Sequence, residues 1–306
     1  MNRFTLLFAL AACGGGGGVE IGGDCSQDAV CTDGAVCDFT DPDGPVCIDG
    51  TGDLDGDGLQ NSKDFCNHVA GGAFDEDRDG IGDDCDKCPI APPEDGPEPD
   101  GDDVDSPCDP DPVEPGDQIV AFSGFNDGVL PDNWMATAGW TFVGGEAIAT
   151  SQSSVNNEVL VAPLPLVSRN VAVFSEYRID ALDPEATTNR AGVVTVDQRP
   201  AGGTDATCVG NRAGNVDSLV LDTTLNAATR MFPAEEDLFD TADLYRLTLA
   251  INNANAGCAL KSGPLTGAIT ADTNGESMNQ GGLTAKGVTA RFQYLLVVQR
   301  GPVGQN

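Results

Sequence analysis

The chain has 306 residues, of which 49 are acidic and 15 basic, so its formal net charge is -34. This charge excludes a nucleic-acid or anionic-membrane footprint, because both need a basic surface. There are eleven cysteines, one histidine (His68) and no pair of Cys-x-x-Cys units. The composition therefore favours an exported, disulfide-bonded protein over a cytosolic zinc protein.

The N-terminal stretch MNRFTLLFALAAC combines a basic start at Arg3 with a short apolar run that ends before Cys13. A bilayer span needs ~20 apolar residues, so residues 1–12 are predicted to be a removable signal peptide. The sequence LAAC resembles the bacterial lipobox. That resemblance implies cleavage before Cys13 and lipidation of its sulfur, with an ordinary secretory signal as the alternative.

The residues after Cys13 fit a membrane-anchored chain. Residues 13–23 are predicted to be the lipidated cysteine and a flexible glycine-rich tether. Gly14 resembles the residue at this position in lipoproteins sorted to the outer membrane. The resemblance implies an outer-membrane lipoprotein of the cell envelope, exposed at the cell surface.

Residues 24–50 contain almost no large apolar side chains, so they cannot bury a core and must be held by disulfides. We predict a small Cys-rich module in which the spacing leaves three pairings open among Cys25, Cys31, Cys37 and Cys47.

Residues 51–112 contain two copies of an acidic pattern, DLDGDGLQNSKDF and DEDRDGIGDDCDKCP. Both fit the calcium-loop template, in which alternate residues of a tight loop turn oxygen atoms inward and glycine at position 6 (Gly58, Gly80) permits the turn. The alternative is a solvated acidic linker. The predicted ligands at positions 1, 3, 5, 7, 9 and 12 are Asp53, Asp55, Asp57, Leu59 (carbonyl), Asn61 and Asp64, then Asp75, Asp77, Asp79, Ile81 (carbonyl), Asp83 and Asp86.

Glycine and proline after each copy exclude the flanking helices of an EF-hand or a dockerin. The pattern DxDxDGxxDxxDxC followed by CP resembles the thrombospondin type 3 repeat. The resemblance implies that calcium replaces an apolar core and that Cys66 pairs with Cys85 and Cys88 with Cys108. Aspartate at position 12 predicts weak affinity, roughly 10⁻⁴ to 10⁻³ M.

A third copy, EPDGDDVDSPCD, is degenerate. It keeps acidic residues at positions 1, 3, 5 and 12, but Asp103 replaces the glycine and Ser106 stands at position 9, so calcium there is left open. The acidic residues are Glu98, Asp100, Asp102 and Asp109. The following PDPVEPGD is predicted to be a stiff linker.

Residues 117–306 contain short Val/Ile/Leu-rich runs separated by turn residues, with no sustained helical period. We predict a mainly β chain whose last domain is an antiparallel β-sandwich of the jelly-roll type. Each sheet is expected to bury one face and expose the other to solvent, as the alternating side chains of VAVFSEYRI indicate. The opening FSGFNDGVLPDNWMATAGWTFVGGEAIAT and the closing VTARFQYLLVV resemble laminin-G-like and concanavalin-like domains. Cys208 and Cys258 are predicted to pair.

Catalytic patterns are missing from this last domain. It has no E-x-D-x-x-E run for glycoside hydrolysis and no histidine, so we predict that the protein is not an enzyme. Trp134 and Trp140 fit either a sugar-stacking platform or buried strand-end aromatics. The leading hypothesis is a calcium-binding cell-surface lipoprotein, in which a calcium-stiffened stalk presents a β-sandwich head for adhesion or for binding a glycan or protein ligand. A glycan-active enzyme and a purely structural envelope protein are the alternatives.

Overall fold

The protein is described from a computed structural model, which describes residues 18–26, 30–92, 99–151, 157–197, 203–233, 235–273, 275 and 278–300. The predicted signal peptide, Cys13 and Glu98 lie outside these ranges. Within them, no helix is both long and apolar enough to cross a membrane. The strands are β1 (Ala35–Asp38), β2 (Val46–Asp49), β3 (Asp117–Ser123), β4 (Met135–Ala136), β5 (Trp140–Phe142), β6 (Ala147–Thr150), β7 (Glu158–Ser168), β8 (Asn170–Leu182), β9 (Thr188–Asp197), β10 (Gly203–Ala213), β11 (Val216–Thr223), β12 (Ala227–Met231), β13 (Tyr245–Asn252), β14 (Asn255–Ser262), β15 (Leu265–Asp272), β16 (Met278–Lys286), β17 (Val288–Phe292) and β18 (Leu295–Arg300).

The chain divides into two compact units, residues 1–86 and 87–306. The first two acidic copies lie in the first unit, except for the end of the second copy. The degenerate third copy belongs to the second unit together with the β-sandwich. The boundary predicted at residue 112 therefore falls inside the second unit.

The described part of the first unit has little regular structure. It contains the antiparallel pair β1 and β2 and one 3-10 turn at Asn61–Lys63. Disulfides Cys25–Cys37 and Cys31–Cys47 hold the strand pair, which selects one of the three pairings that the spacing left open. Cross-links take the place of a core because the segment lacks large apolar side chains.

The second unit is a two-sheet antiparallel sandwich, so the predicted fold class is confirmed. One sheet has the strand order β12-β11-β10-β9-β16-β7-β4, and the other has β15-β14-β13-β8-β17-β6-β5, with β18 paired to β8 and β3 paired to β18. Apolar side chains from alternate positions of both sheets fill the space between them, including Leu160, Val193, Leu219, Leu249 and Leu283. A disulfide between Cys208 of β10 and Cys258 of β14 links the two sheets.

The outer face of the nine-stranded sheet is shielded from solvent along its strands β8 and β18. Ala172 and Phe174 of β8 are buried there with Leu296 and Val298 of β18, and Val104 from the third copy is fully buried against the same cluster. The expectation of one wet face fails at this place because Cys88, Ile90 and Cys108 also pack onto it. The third copy is therefore part of the packing of the sandwich.

The segment before β3 is held by the end of the chain. Arg300 is 8% exposed at its side chain and donates to both carboxylate oxygens of Asp117, at 3.2 and 3.0 Å. The same guanidinium lies 3.0 Å from Asp111 and 3.4 Å from Glu114. These contacts fix the segment to the sandwich, where the sequence predicted a stiff linker.

Candidate metal centres

The first acidic copy folds as a tight loop in which backbone N–H groups hold the carboxylates. Asp53 Oδ1 accepts from Gly56 N at 2.8 Å, and its Oδ2 accepts from Gly58 N at 3.1 Å. Asp55 Oδ1 accepts from Asp57 N at 3.1 Å. The second copy repeats these bonds at equivalent residues, namely Asp75, Arg78, Gly80, Asp77 and Asp79.

These bonds bring the side chains at positions 1, 3 and 5 together. In the first loop, carboxylate oxygens of Asp53, Asp55 and Asp57 lie within 4.8 Å of one another. The same holds in the second loop for Asp75, Asp77 and Asp79. Six of the twelve predicted ligands therefore converge in two groups of three.

Several carboxylate oxygens in these loops are buried without a hydrogen-bond partner: Asp55 Oδ2, Asp64 Oδ2 and Asp77 Oδ2. A charged oxygen that is buried and unpaired is costly, so such atoms call for an explanation. The donor set consists of oxygens only, which is the set that hard cations such as Ca²⁺ prefer. The residues present therefore fit a calcium ion.

The other predicted ligands take different places. Asn61 Oδ1 accepts from Leu54 N at 2.9 Å, and its Nδ2 donates to the Asp49 carbonyl at 2.8 Å. Asp83 Oδ1 accepts from Glu76 N at 2.8 Å, which repeats the first of these bonds in the second loop. The side chain at position 9 thus accepts a hydrogen bond from the backbone at position 2, which holds the start of each loop.

At position 12, Asp64 is 5% exposed and its Oδ1 accepts from Cys66 N at 2.8 Å. Burial raises the pKa of Asp64, and the charges of Asp55 and Asp57 act in the same direction. The carboxylate of Asp64 therefore interacts electrostatically with the first cluster. Asp86 is half-buried after Cys85 in the second loop. The carbonyl oxygens of Leu59 and Ile81 are the predicted calcium ligands at position 7. The backbone N–H groups of these two residues donate hydrogen bonds to the Oδ1 atoms of Asp57 and Asp79.

Burial and, to a smaller extent, neighbouring charges raise the pKa values of two carboxylates in the second loop. Burial raises the pKa of Asp77 to about 6, and the neighbouring charges of Asp79 and Asp75 add to the effect. Burial raises the pKa of Asp83 to about 7, with Glu76 and Asp75 acting in the same direction. A bound cation would supply positive charge beside these carboxylates and favour their ionised forms.

The third copy forms a cluster of its own. Carboxylate oxygens of Asp100, Asp102 and Asp109 lie within 4.8 Å of one another. Asp109 is 8% exposed, and its Oδ2 is buried without a hydrogen-bond partner while its Oδ1 accepts from Asp111 N at 2.7 Å. Burial raises the pKa of Asp109 to about 7, and Asp117 and Asp102 push it further in that direction.

The sequence left open whether the third loop binds calcium, because this loop lacks glycine at position 6. Two structural features that it shares with the other loops favour calcium binding. Asp57 Oδ2 accepts from Gly71 N at 2.9 Å, and Asp102 Oδ2 accepts from Gly116 N at 3.0 Å, a separation of 14 residues in both. Position 4 has a positive φ in all three copies, at Gly56 (82°), Arg78 (66°) and Gly101 (83°).

The disulfides that the repeat resemblance implied are present. Cys66 pairs with Cys85 and Cys88 with Cys108. Each bridge joins the end of one loop to the next loop, and both half-cystines Cys66 and Cys108 are fully buried. The acidic loops are therefore cross-linked in series.

The tryptophans do not form a platform. Trp140 is 7% exposed in the core and packs 5.5 Å from the Phe292 ring, measured between centroids. Trp134 is half-buried and meets the Phe125 ring edge-on. Trp140 is thus the buried strand-end aromatic that the sequence offered as the alternative, and Trp134 packs partly buried against the same core.

A polar row lies on the face of the seven-stranded sheet that points away from the core. Arg190 Nε donates to Asn211 Oδ1 at 2.8 Å, and Asn211 Nδ2 donates to Ser218 Oγ at 3.1 Å. Arg190 also lies 3.6 Å from Asp222. Because Ala191 of the same strand is in the core, Arg190 points outward. Three neighbouring strands thus carry a row of polar side chains, in which Asn211 and Ser218 are buried and Arg190 and Asp222 are partly exposed.

Comparison with known proteins gives structural likenesses only. No family model matches the chain, and no curated protein matches it. The CBM2 module of the evolved Dit protein of Lactobacillus casei BL23 phage J-1 is 13% identical, with 62% of this chain and 99% of that one covered and a TM-score of 0.46. Winged bean acidic lectin complexed with methyl-alpha-D-galactose is 9% identical, with 60% and 98% covered and a TM-score of 0.43.

A further similar structure is the xylan beta-1,4-xylosidase of Bacillus halodurans C-125. It is 13% identical, with 62% of this chain and 41% of that chain covered and a TM-score of 0.42. At these identities and scores, no property of these proteins is transferred to this chain.

Proposed function

We propose that this chain is a calcium-binding cell-surface lipoprotein whose acidic loops form a calcium-stiffened spacer for a β-sandwich head. One observation supports the calcium sites above all others. In each of three loops, three carboxylates converge, and each loop holds a buried carboxylate oxygen without a hydrogen-bond partner, at Asp55, Asp77 and Asp109.

The residues that would hold calcium are those of the three clusters, with Asp64 and Asp109 closing the first and third loops. A bound Ca²⁺ would neutralise the clustered charge. The chain itself contributes the preorganisation, because backbone N–H groups fix one oxygen of Asp55 and both oxygens of Asp57 and Asp102. Affinity in the range typical of extracellular modules, about 10⁻⁴ to 10⁻³ M, is expected.

Calorimetric titration of the full chain with CaCl₂ tests this proposal. We expect saturable binding of two or three ions, and the loss of one ion in each of the variants Asp55→Asn and Asp77→Asn. Asp127→Asn is the matched control, because Asp127 is exposed and lies outside the loops. If millimolar calcium gave no saturable heat, the loops would be acidic linkers and the proposal would be wrong.

The lipid anchor is proposed at Cys13. Support comes from the cysteine count, because five disulfides use ten of the eleven cysteines and leave Cys13. Expression in a lipoprotein-processing bacterium should give a membrane-bound chain whose N-terminal peptide carries a diacylglyceryl group, and Cys13→Ser should release the chain. A water-soluble wild-type chain with an unmodified Cys13 would favour the ordinary secretory signal.

The head is proposed to bind a polar ligand such as a glycan at Arg190 and Asp222, the partly exposed members of the row that Asn211 and Ser218 complete. Affinity electrophoresis in gels containing xylan, galactomannan or peptidoglycan tests this. Arg190→Ala should abolish any retardation, whereas Arg246→Ala, which removes an arginine paired with Glu176 on the other sheet, should not. Unretarded wild-type protein in every gel would favour the purely structural alternative.

We propose that the head is not an enzyme. A glycosidase needs two carboxylates about 5 to 9.5 Å apart across the scissile bond, and the described row offers Asp222, which is paired with Arg190. The same polysaccharides should therefore show no new reducing ends after incubation with the protein. Release of reducing ends that disappears in Asp222→Asn would establish the enzyme instead.

A further inference from the structure

A second kind of ligand cluster lies in the first unit, apart from the calcium loops. Asp38 ends β1 and is fully buried, Asp41 stands in the turn that follows, and His68 lies between the first and second acidic loops. His68 Nε2 is 2.9 Å from Asp38 Oδ2 and 3.8 Å from Asp41 Oδ2. One ligand atom from each of the three residues falls within 4.8 Å of the other two.

Hydrogen bonds from neighbouring residues orient the carboxylates of Asp38 and Asp41 toward the imidazole of His68. Asp38 Oδ1 accepts from Thr40 N at 2.9 Å and from Thr40 Oγ1 at 2.7 Å. Asp41 Oδ1 accepts from Asp43 N at 2.9 Å. In both residues one oxygen is thus held by the chain, while the other oxygen is the one nearest to His68 Nε2. Outer hydrogen bonds of this kind orient the ligands of metal sites.

A hydrogen bond accounts for the contact of His68 with Asp38 but not for its contact with Asp41, and a protonated imidazole paired with both carboxylates is the alternative that the zinc titration distinguishes. One proton on His68 Nε2 serves Asp38 at 2.9 Å, but the 3.8 Å separation from Asp41 is too long for a hydrogen bond. Two ligand atoms on a tetrahedral zinc ion lie roughly 3.4 Å apart, given Zn–N and Zn–O bonds of about 2.0 to 2.2 Å. The two observed separations lie on either side of that value.

We propose that His68, Asp38 and Asp41 bind a divalent transition-metal ion, with Zn²⁺ as the fitting example. An imidazole nitrogen with two carboxylate oxygens suits zinc and its neighbours, whereas the all-oxygen loops suit calcium. The proton on Nε2 is displaced when the ion binds, and two carboxylates balance its charge. The ion joins the Cys-rich module to the acidic loops, since Asp38 and Asp41 belong to the former and His68 follows the first loop.

Zinc titration of the full chain in saturating calcium tests this site. We expect one equivalent of Zn²⁺ to bind, and Co²⁺ in its place to give the visible absorption of a low-coordinate site. His68→Gln keeps a hydrogen-bond donor for Asp38 but replaces the imidazole, so it should weaken zinc binding by at least the ~10-fold that losing even an outer partner costs. Asp41→Asn should weaken it as well.

Asp43→Asn is the matched control, because it removes a neighbouring carboxylate from outside the cluster and should leave zinc affinity unchanged. Calcium titration of each variant checks that the first unit is still folded. The proposal is overturned if His68→Gln, with its calcium sites intact, binds zinc as tightly as the wild type, or if the wild type in saturating calcium binds no zinc.

Discussion

The first two acidic loops and the third loop share their hydrogen bonds but differ in surroundings. Asp57 and Asp102 each accept from a glycine N–H 14 residues later. In the first loop, position 6 is Gly58 at a φ of 101°, whereas the described third loop has Asp103 there without a positive φ. The third loop also packs onto the sandwich through Val104, which has no counterpart in the buried core of the first unit.

The difference shows two ways of ordering the same acidic motif. Both apolar clusters among the described residues lie in the second unit. Loops in the first unit therefore depend on disulfides and on the proposed ions, while the third loop also gains from apolar burial. Ion removal should affect the two regions unequally.

Calcium removal should have the largest effect. In excess chelator, repulsion among unneutralised carboxylates should open the loops at 53–86, because the described residues of the first unit form no apolar cluster that would oppose it. Hydrogen-exchange mass spectrometry should show loss of amide protection there, while β8, β9 and β16 of the sandwich stay protected. Equal protection of 53–86 with calcium and with chelator would show that disulfides alone order these loops.

Arg300→Met should give the next largest effect. It leaves Asp117, which is 1% exposed, without its bidentate partner, and breaking a buried pair costs about 3 to 5 kcal/mol. Urea unfolding of the full chain should show this loss in the sandwich transition. Arg246→Met is the control, because its pair with Glu176 is more exposed and should be worth about 1 kcal/mol or less. Equal losses in the two variants would mean that residues 111–117 are not fixed by Arg300.

Local patterns in the sequence predicted much of this. Alternating apolar residues predicted the sandwich, and the spacing of aspartates predicted which carboxylates converge at Asp53, Asp55 and Asp57. The repeat resemblance supplied the pairs Cys66–Cys85 and Cys88–Cys108, which are present. Each of these features depends on residues that are close in sequence or on a repeated motif.

Most of what the sequence did not predict depends on long-range packing, and the role of Asn61 depends on a local choice between partners. The burial of Ala172 and Phe174 requires that the third loop covers a sheet face formed by residues far along the chain. The contact of Arg300 with Asp117 spans 183 positions. Asn61 was predicted to be a ligand at position 9, yet its amide is engaged by Leu54 N and the Asp49 carbonyl, and spacing alone does not distinguish these roles.

Glycine at position 6 should matter in the first loop and not in the third. An added Cβ at Gly58 meets nothing within 4 Å, so Gly58→Ala tests the backbone conformation alone. The cost of a positive φ, about 1 to 2 kcal/mol, should weaken calcium binding at that loop about 5- to 30-fold. Asp103→Ala, at the same position of the third loop, should leave calcium binding unchanged. Equal effects in calorimetry would mean that the two loops share one backbone requirement.

The smallest predicted effect concerns Asp109. At a calcium concentration about five times Kd, one site adds about 1 kcal/mol to the stability of the unit that holds it. Asp109→Asn should remove that increment, so the unfolding midpoint of the sandwich should no longer respond to calcium. Asp103→Asn should keep the response, because Asp103 is 89% exposed at its side chain and pairs with Lys87 at the surface. A calcium response that survives Asp109→Asn would place the ion that stabilises the sandwich outside the third loop.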